Sequence, residues 1–257
     1  MKKETRSKIL GLLLFAVLTG WILYLSFVVQ RPEIDEQIKS ITVTGNSLLN
    51  ENDYLAFAKL NGSEISEDVT LPIIKSRLEK HPYIKRADVE FTGNNEVHIN
   101  LNEKKIKAVL VSDNELFLAT QNFEILPFIQ NTKISNLPVV TNLSNDILLK
   151  KNEILKTPGL VEAFKIMDAA ELTGGGLSKT LSEINLRKGG DIILLFSGIK
   201  PPVILGKGNT AEKMYAFNQL VNTDDADKAM VMNSSYVDLR FNNEIFLGNY
   251  DKTDLTE

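Results

Sequence analysis

Residues 9–29 contain no Asp, Glu, Lys or Arg, and no other feature narrows the possible folds of this chain so far. As an α-helix rising ~1.5 Å per residue, the run reaches ~31 Å, the hydrocarbon thickness of a bilayer. A cleaved secretory leader would have a shorter apolar region of ~7–15 residues and a small-x-small cleavage site; neither is clear in this stretch. The run therefore predicts an uncleaved, single-pass transmembrane helix with lipid around residues 9–29, preceded by a tail over 1–8. Lys2, Lys3, Arg6 and Lys8 precede the span, whereas Glu33, Asp35 and Glu36 follow it, with Arg31 and Lys39 as the nearby cations. Basic flanks stay in the cytoplasm, so the tail is expected there and everything after the linker 30–37 outside. Trp21 and Tyr24, near the outer end, fit the interfacial preference of amphipathic aromatics.

The chain has 257 residues, and what remains after the span is enough for two domains at ~100–150 residues each. With 43% hydrophobic residues, that remainder can build a packed core. Residues 31–257 hold 25 basic and 32 acidic side chains, a formal net of −7, and no run of Lys and Arg. Nucleic-acid binding needs a basic surface and is not expected. The absence of cysteine excludes disulfides and thiolate metal sites.

Ile41 and Val43 alternate with threonines and stop at Gly45-Asn46, which reads as a short strand ended by a turn. Two helices are predicted next, over about 51–60 with Tyr54, Leu55 and Ala58 inward, and over about 69–80 with Leu71, Ile74 and Leu78 inward; Pro72 is tolerable in a first turn. His81-Pro82 stops the second. Val89, Phe91, Val97, Ile99 and Leu101 then keep one odd-numbered phase across Gly93-Asn94-Asn95, the pattern of a hairpin with one apolar face. Residues 38–105 are thus expected to form a small β-α-α-β-β unit, two helices on one face of a three-stranded sheet.

From 106 to 248 a larger mixed or antiparallel β domain with flanking helices is predicted, so that the whole chain is α+β. Short strands are expected at 109–111, 116–119 and 123–126, separated by Asp113-Asn114 and Gln121-Asn122, and an extended segment at 137–140. A helix over about 159–172 presents Leu160, Phe164 and Met167. Leu181, Ile184 and Leu186 lead through Gly189-Gly190 into Ile192–Phe196 and on to Val203-Ile204-Leu205. Asn209-Thr210 with Glu212 can cap a helix carrying Met214, Phe217 and Val221. Strands over 236–241 and 244–247 flank a turn at Asn242-Asn243, and 249–257 reads as a tail.

Motifs for chemistry are weak. Gly206-Lys207-Gly208-Asn209-Thr210-Ala211 fits G-x-G-x-x-A, but a dinucleotide fold needs further parallel strands after it; a tight strand-to-helix turn is the better reading. Gly174–Thr180 puts Ser178 where a phosphate loop needs glycine, and it follows a helix instead of opening one, so it reads as a turn. His81 and His98 lack metal-pair spacing, and no His-Glu-x-x-His or Gly-x-Ser-x-Gly stretch occurs. Asp224, Asp225 and Asp227 read as a solvated loop. No catalytic residue, cofactor, metal or small-molecule substrate is expected.

The end of the chain is more informative. In a two-residue-loop register Leu239 faces Phe246 and Arg240 faces Ile245, leaving the last strand apolar on both faces. A terminal strand commonly lies at a sheet edge, whose unpaired N–H and C=O groups invite another strand. Either a helix or loop of the same domain covers it, or a partner docks there; the second reading is preferred.

Three segments, Ile41-Thr-Val-Thr-Gly-Asn, His81-Pro-Tyr-Ile-Lys-Arg-Ala-Asp-Val and Val97-His-Ile-Asn-Leu-Asn-Glu-Lys, resemble a polypeptide-transport-associated (POTRA) domain. Together with Ile184-Asn-Leu-Arg-Lys-Gly-Gly-Asp, Val203-Ile-Leu-Gly-Lys-Gly and Tyr236-Val-Asp-Leu-Arg-Phe-Asn-Asn, the ordered set is similar to the FtsQ/DivIB family of bacterial cell-division proteins. Phe241 stands where that family commonly has tyrosine. The resemblance implies a non-enzymatic scaffold at the division septum of the cell (inner) membrane, bridging early and late division proteins through FtsB- and FtsL-like partners. It places the partner site around the last hairpin: Tyr236, Arg240, Phe241, Asn243, Glu244, Ile245, Phe246 and Leu247, with strand addition along 244–248. Two rivals are a membrane-anchored cell-wall enzyme, for which no convergent titratable groups are legible, and a transport or envelope-assembly accessory holding client polypeptides through the small α+β domain.

Overall fold

The computed structural model of the chain describes residues 3–28, 38–61, 69–93, 95–112, 115–143, 150–174, 176–187, 190–222, 225–241 and 244–249. Helix α1 (Lys3–Val28) covers most of the uncharged run, and its side chains are described over 12–24, nearly all exposed. Among the described residues no helix is long and apolar enough to cross a membrane. The expected span, 9–29, starts before and ends after the described side chains, and the linker 30–37 lies outside the described residues.

The chain divides into two compact units, Met1–Ile41 with Phe91–Val97, and Thr42–Glu90 with His98–Glu257. In the first, the Lys39 N–H donates to the Asn95 carbonyl at 2.9 Å and the Ser40 hydroxyl to the Glu96 carboxylate at 3.2 Å.

Strand β1 (Ser40–Thr44), helices α2 (Glu51–Phe57) and α3 (Leu71–Glu79), and strands β2 (Ile84–Gly93) and β3 (Glu96–Glu103) follow in the expected β-α-α-β-β order, the strands forming a sheet in the order β1-β3-β2. Both helices are shorter than predicted. Helix α2 ends where Lys59 takes φ +56° and the Leu60 N–H turns back to Leu55 O at 2.8 Å. Pro72 sits in the first turn of α3, where its missing N–H costs nothing. Ala87, Val97, Ile99 and Leu101 are buried, so the odd phase is kept, while Phe91 frays outward. Gly45 ends β1 for a physical reason: at φ +78° a Cβ there would lie 2.1 Å from the Leu101 carbonyl oxygen, a distance no side chain tolerates.

Glu103, the last residue of β3, anchors the turn after Gly45. Its carboxylate accepts the N–H groups of Ser47 (2.9 Å) and Leu48 (3.0 Å) and the hydroxyls of Ser47 and Tyr54. Tyr83, fully buried, reaches the chain that follows the small sheet. Its hydroxyl donates to Pro127 O (3.0 Å), accepts from the Ile129 N–H (3.0 Å) and lies 2.9 Å from the Thr132 hydroxyl.

Strands β4 (Ile106–Ser112), β5 (Glu115–Thr120), β6 (Ile125–Pro127) and β7 (Val139–Thr141) come next, then α4 (Pro158–Leu172), the short α5 (Leu177–Thr180), β8 (Leu181–Asn185), β9 (Ile193–Phe196), β10 (Ile199–Ile204), α6 (Thr210–Asn222), α7 (Asp225–Asn233), β11 (Tyr236–Asp238) and β12 (Phe246–Gly248). They build a nine-stranded mixed sheet, β12-β11-β10-β9-β8-β7-β4-β5-β6. Pairing is parallel at β4/β7, β7/β8 and β10/β11 and antiparallel elsewhere. Parallel neighbours need a long crossover: α4 and α5 carry the chain from β7 to β8, and α6 and α7 carry it from β10 to β11.

The Thr157 side chain caps α4, accepting from the Leu160 N–H at 3.2 Å, and Leu160, Phe164 and Met167 are buried as predicted. They join Met214 and Phe217 of α6 and Leu110, Val140, Ile184, Leu194, Val203 and Val237 of the sheet in one core. Pro201 and Pro202 interrupt the β9/β10 ladder, and the register shifts between Ile199 and Val203, the disturbance expected where ladder donors are missing. One reading is corrected: Asp225 and Asp227, expected in a loop, occupy the first turn of α7, where carboxylates favour the helix dipole. Asp224 lies outside the described residues.

Candidate functional site

The two edges of the nine-stranded sheet differ. Alongside β6 runs the segment 152–155: the Ile125 N–H donates to Glu153 O at 2.8 Å, Ile125 O accepts from the Asn152 N–H at 2.6 Å, and the Leu155 N–H reaches Phe123 O at 2.8 Å. Glu124 and Ile154 form an antiparallel bridge. That edge is covered. β12 closes the other end, and among the described residues no strand pairs with its outer side. An open edge presents alternate backbone donors and acceptors to any incoming strand.

The last hairpin departs from the expected register. Tyr236 pairs with Gly248, Val237 with Leu247 and Asp238 with Phe246, so Leu239 does not face Phe246, nor Arg240 Ile245. The strands stop at Asp238 and start at Phe246; Arg240, Phe241, Glu244 and Ile245 belong to the connection instead, and Asn243 lies outside the described residues. The cause is Asp238. Its carboxylate accepts the Arg240 backbone N–H at 3.0 Å, turning the chain, while the Leu239 N–H still bonds Ile204 O of β10 at 2.8 Å.

Arg240 is held from both sides. Its guanidinium donates to Asp238 at 2.6–3.0 Å and to Asp191 at 2.8 Å. The bonds from Arg240 hold the buried Asp238 carboxyl below its ordinary range, with burial opposing, and Asp238, then Asp191, raises the guanidinium further. Gly206, at φ +67°, makes room for the stem, since a Cβ there would meet Arg240 Cγ at 2.7 Å. Arg240 is therefore a brace of the hairpin as well as a half-exposed surface group.

The aromatic residues remain available. Phe241 and Phe246 pack edge to face with centroids 4.8 Å apart, and about half of each is exposed. Tyr236, 39% exposed, lies over Gly248, where a Cβ would come within 2.1 Å of its ring. Leu247 and Ile245 are partly buried against the core. Sequence named neither Asp191 nor Asp238 as a site residue, read Gly206 only as part of a strand-to-helix turn and took position 248 only as the end of the docking strand; the spacing Asp238-x-Arg240 is the one local signal that could have pointed to the brace.

Behind the hairpin a cleft of about 350 Å³ is lined by Leu239, Phe241, Glu244 and Ile245 and, from the α6 side, by Glu212, Lys213 and Ala216. Lys213 is buried, its ammonium donating to Leu205 O (3.0 Å) and Lys207 O (3.1 Å). The G-x-G-x-x-A turn opens α6 as expected, and the Thr210 hydroxyl there donates to the Glu162 carboxylate at 2.9 Å. Among the described residues no group of three or more His, Asp or Glu side chains could hold a metal. His81 is buried among the rings of Tyr54, Phe57 and Tyr83, 4.6–5.3 Å between centroids, with its Nδ1 accepting from the Tyr83 N–H at 3.1 Å. Burial lowers its pKa to about 4, with Glu103 opposing and Lys104 assisting. His98 lies elsewhere, its Nε2 3.3 Å from the Thr44 hydroxyl.

No curated protein matches the chain. A family model described as POTRA domain, FtsQ-type, matches residues 37–104, the segment that contains the β-α-α-β-β unit, Gly45 and the Glu103 anchor. Residues 37–104 therefore belong to the FtsQ-type POTRA domain family, and it is in this segment that the chain is similar to FtsQ/DivIB proteins.

Proposed function

We propose that this protein is a non-enzymatic scaffold of bacterial cell division that receives a partner strand on the open edge of β12. The FtsQ-type POTRA domain supports the division role. The observation that carries the docking reading is the contrast between a covered β6 edge and an open β12 edge flanked by the exposed rings of Tyr236, Phe241 and Phe246. Main-chain bonds along 246–248 supply affinity there, and the rings, with Arg240, Glu244, Ile245 and Leu247 around them, supply selectivity. FtsB- and FtsL-like proteins are the partners. Residues 9–29 anchor the chain in the cell (inner) membrane with the N-terminus cytoplasmic; the uncharged run and the exposed apolar side chains of 12–24 support this. Beyond the linker the chain carries the POTRA domain, 38–105, the β domain, 106–248, and the tail, 249–257.

The test is co-purification of the full-length protein with FtsB- and FtsL-like proteins from membranes, alongside midcell imaging of a fluorescent fusion. Leu247→Pro, within the β12 ladder, should abolish co-purification while the thermal transition of the protein persists. Undiminished co-purification would overturn strand addition, and an even envelope distribution would overturn the division role.

A further inference from the structure

The cleft behind the last hairpin combines three properties. Its inner wall is apolar, made by Leu239, Ile245, Ala216 and the half-exposed ring of Phe241. It also carries two exposed carboxylates, Glu212 and Glu244, neither in an ion pair among the described residues. Among the described residues the lining holds one cation, Lys213, whose ammonium donates to two backbone carbonyls and forms no ion pair with either carboxylate. An acidic pair beside apolar wall selects a group that is apolar along its length and cationic at its tip, which describes the stem and head of an arginine or lysine. A guanidinium has the further advantage of stacking on an aromatic face, and Phe241 offers one.

From this charge complementarity, and from the direct continuity of Glu244 and Ile245 with β12, we infer that the cleft takes a long basic side chain of the segment that docks on the β12 edge. The inference rests on the edge-docking reading and names what the partner segment must carry: a strand-forming stretch with an arginine or lysine positioned to reach back over residues 244–245. The strand's backbone holds it on the edge; the basic residue fixes register and selects this partner over neutral strands.

The probe is a blocked ten-residue peptide of alternating valine and threonine with one arginine, made in both side-chain phases, and its counterparts with methionine or glutamate at that position. Each is titrated onto the full-length protein in detergent micelles by fluorescence anisotropy. In one phase the arginine peptide should bind about tenfold more tightly than the methionine peptide, and the glutamate peptide more weakly than either. In Glu212→Gln/Glu244→Gln the arginine advantage should shrink to about twofold or less while the methionine peptide binds unchanged, and ~0.5 M salt should reduce it likewise. Equal binding of the arginine and methionine peptides in both phases overturns the basic anchor and leaves edge docking standing. Binding by none of the peptides contradicts both.

Discussion

Arg240 illustrates how one residue can belong to a site and to the scaffold under it. Its guanidinium joins Asp238 to Asp191, and its stem occupies the space that Gly206 leaves free. Gly206→Ala imposes both a left-handed backbone on a non-glycine residue, ~1–3 kcal/mol, and a clash with that stem, so the urea midpoint should fall and the hairpin amides should exchange faster; an unchanged midpoint would remove the brace from the account. His81 gives a pH prediction. Its folded pKa of about 4 lies below the ~6.5 of an unfolded chain. Between those values the unfolded state binds more protons, so the contribution of His81 to stability is full above pH ~6.5 and is lost as pH falls toward 4. The loss is of order 2–3 kcal/mol. Urea titrations at pH 7 and pH 4.5 should show it, and His81→Asn, which keeps an acceptor for the Tyr83 N–H, should lose most of that difference; an equal slope in the variant would contradict it.

At the scale of elements, what was legible in the sequence was local. The β-α-α-β-β order, the odd phase of Val97, Ile99 and Leu101, the buried face of α4 and the turn into α6 all follow from spacing and cap chemistry that neighbouring residues define. What was not legible depends on partners distant in the chain. The hairpin register turns on Asp238 and on the bond from Leu239 to Ile204, and the cover on β6 comes from residues near 153, which no pattern within β6 announces. Helix α7 was missed because Asp225 and Asp227 read as loop residues until the crossover from β10 to β11 required a helix. Of the candidate site, the rings of Tyr236, Phe241 and Phe246 were legible as apolar groups in a terminal hairpin; Gly248 under Tyr236 was not. Gly248→Ala should push the Tyr236 ring off the strand, lowering partner affinity about tenfold or more with little change in the thermal midpoint, whereas unaltered affinity would exclude Tyr236 from recognition. Tyr83→Phe should cost ~1–3 kcal/mol, because Pro127 O and the Ile129 N–H lose their shared partner; calorimetry of the variant measures it.

On the scale of the whole molecule, Thr42–Glu90 and His98–Glu257 form one compact unit, and Tyr83, Glu103 and the bond from the Lys133 N–H to Leu48 O at 2.7 Å tie its early residues to those that follow. On the proposed reading, a strand received at β12 docks on this same compact unit. Alkaline phosphatase fused after Glu257 should be active if residues 9–29 hold the chain outside the cytoplasm, and a cytoplasmic reporter fused there should be silent; the reverse result would invert the topology. The central claim is that β12 is an edge awaiting a strand. Amide hydrogen exchange of residues 246–248, compared between the full-length protein alone and the protein mixed with the proposed FtsB- and FtsL-like partners, tests this directly. The account predicts exchange slowed at least tenfold in the complex, and unchanged exchange at these amides with protection appearing elsewhere would contradict it.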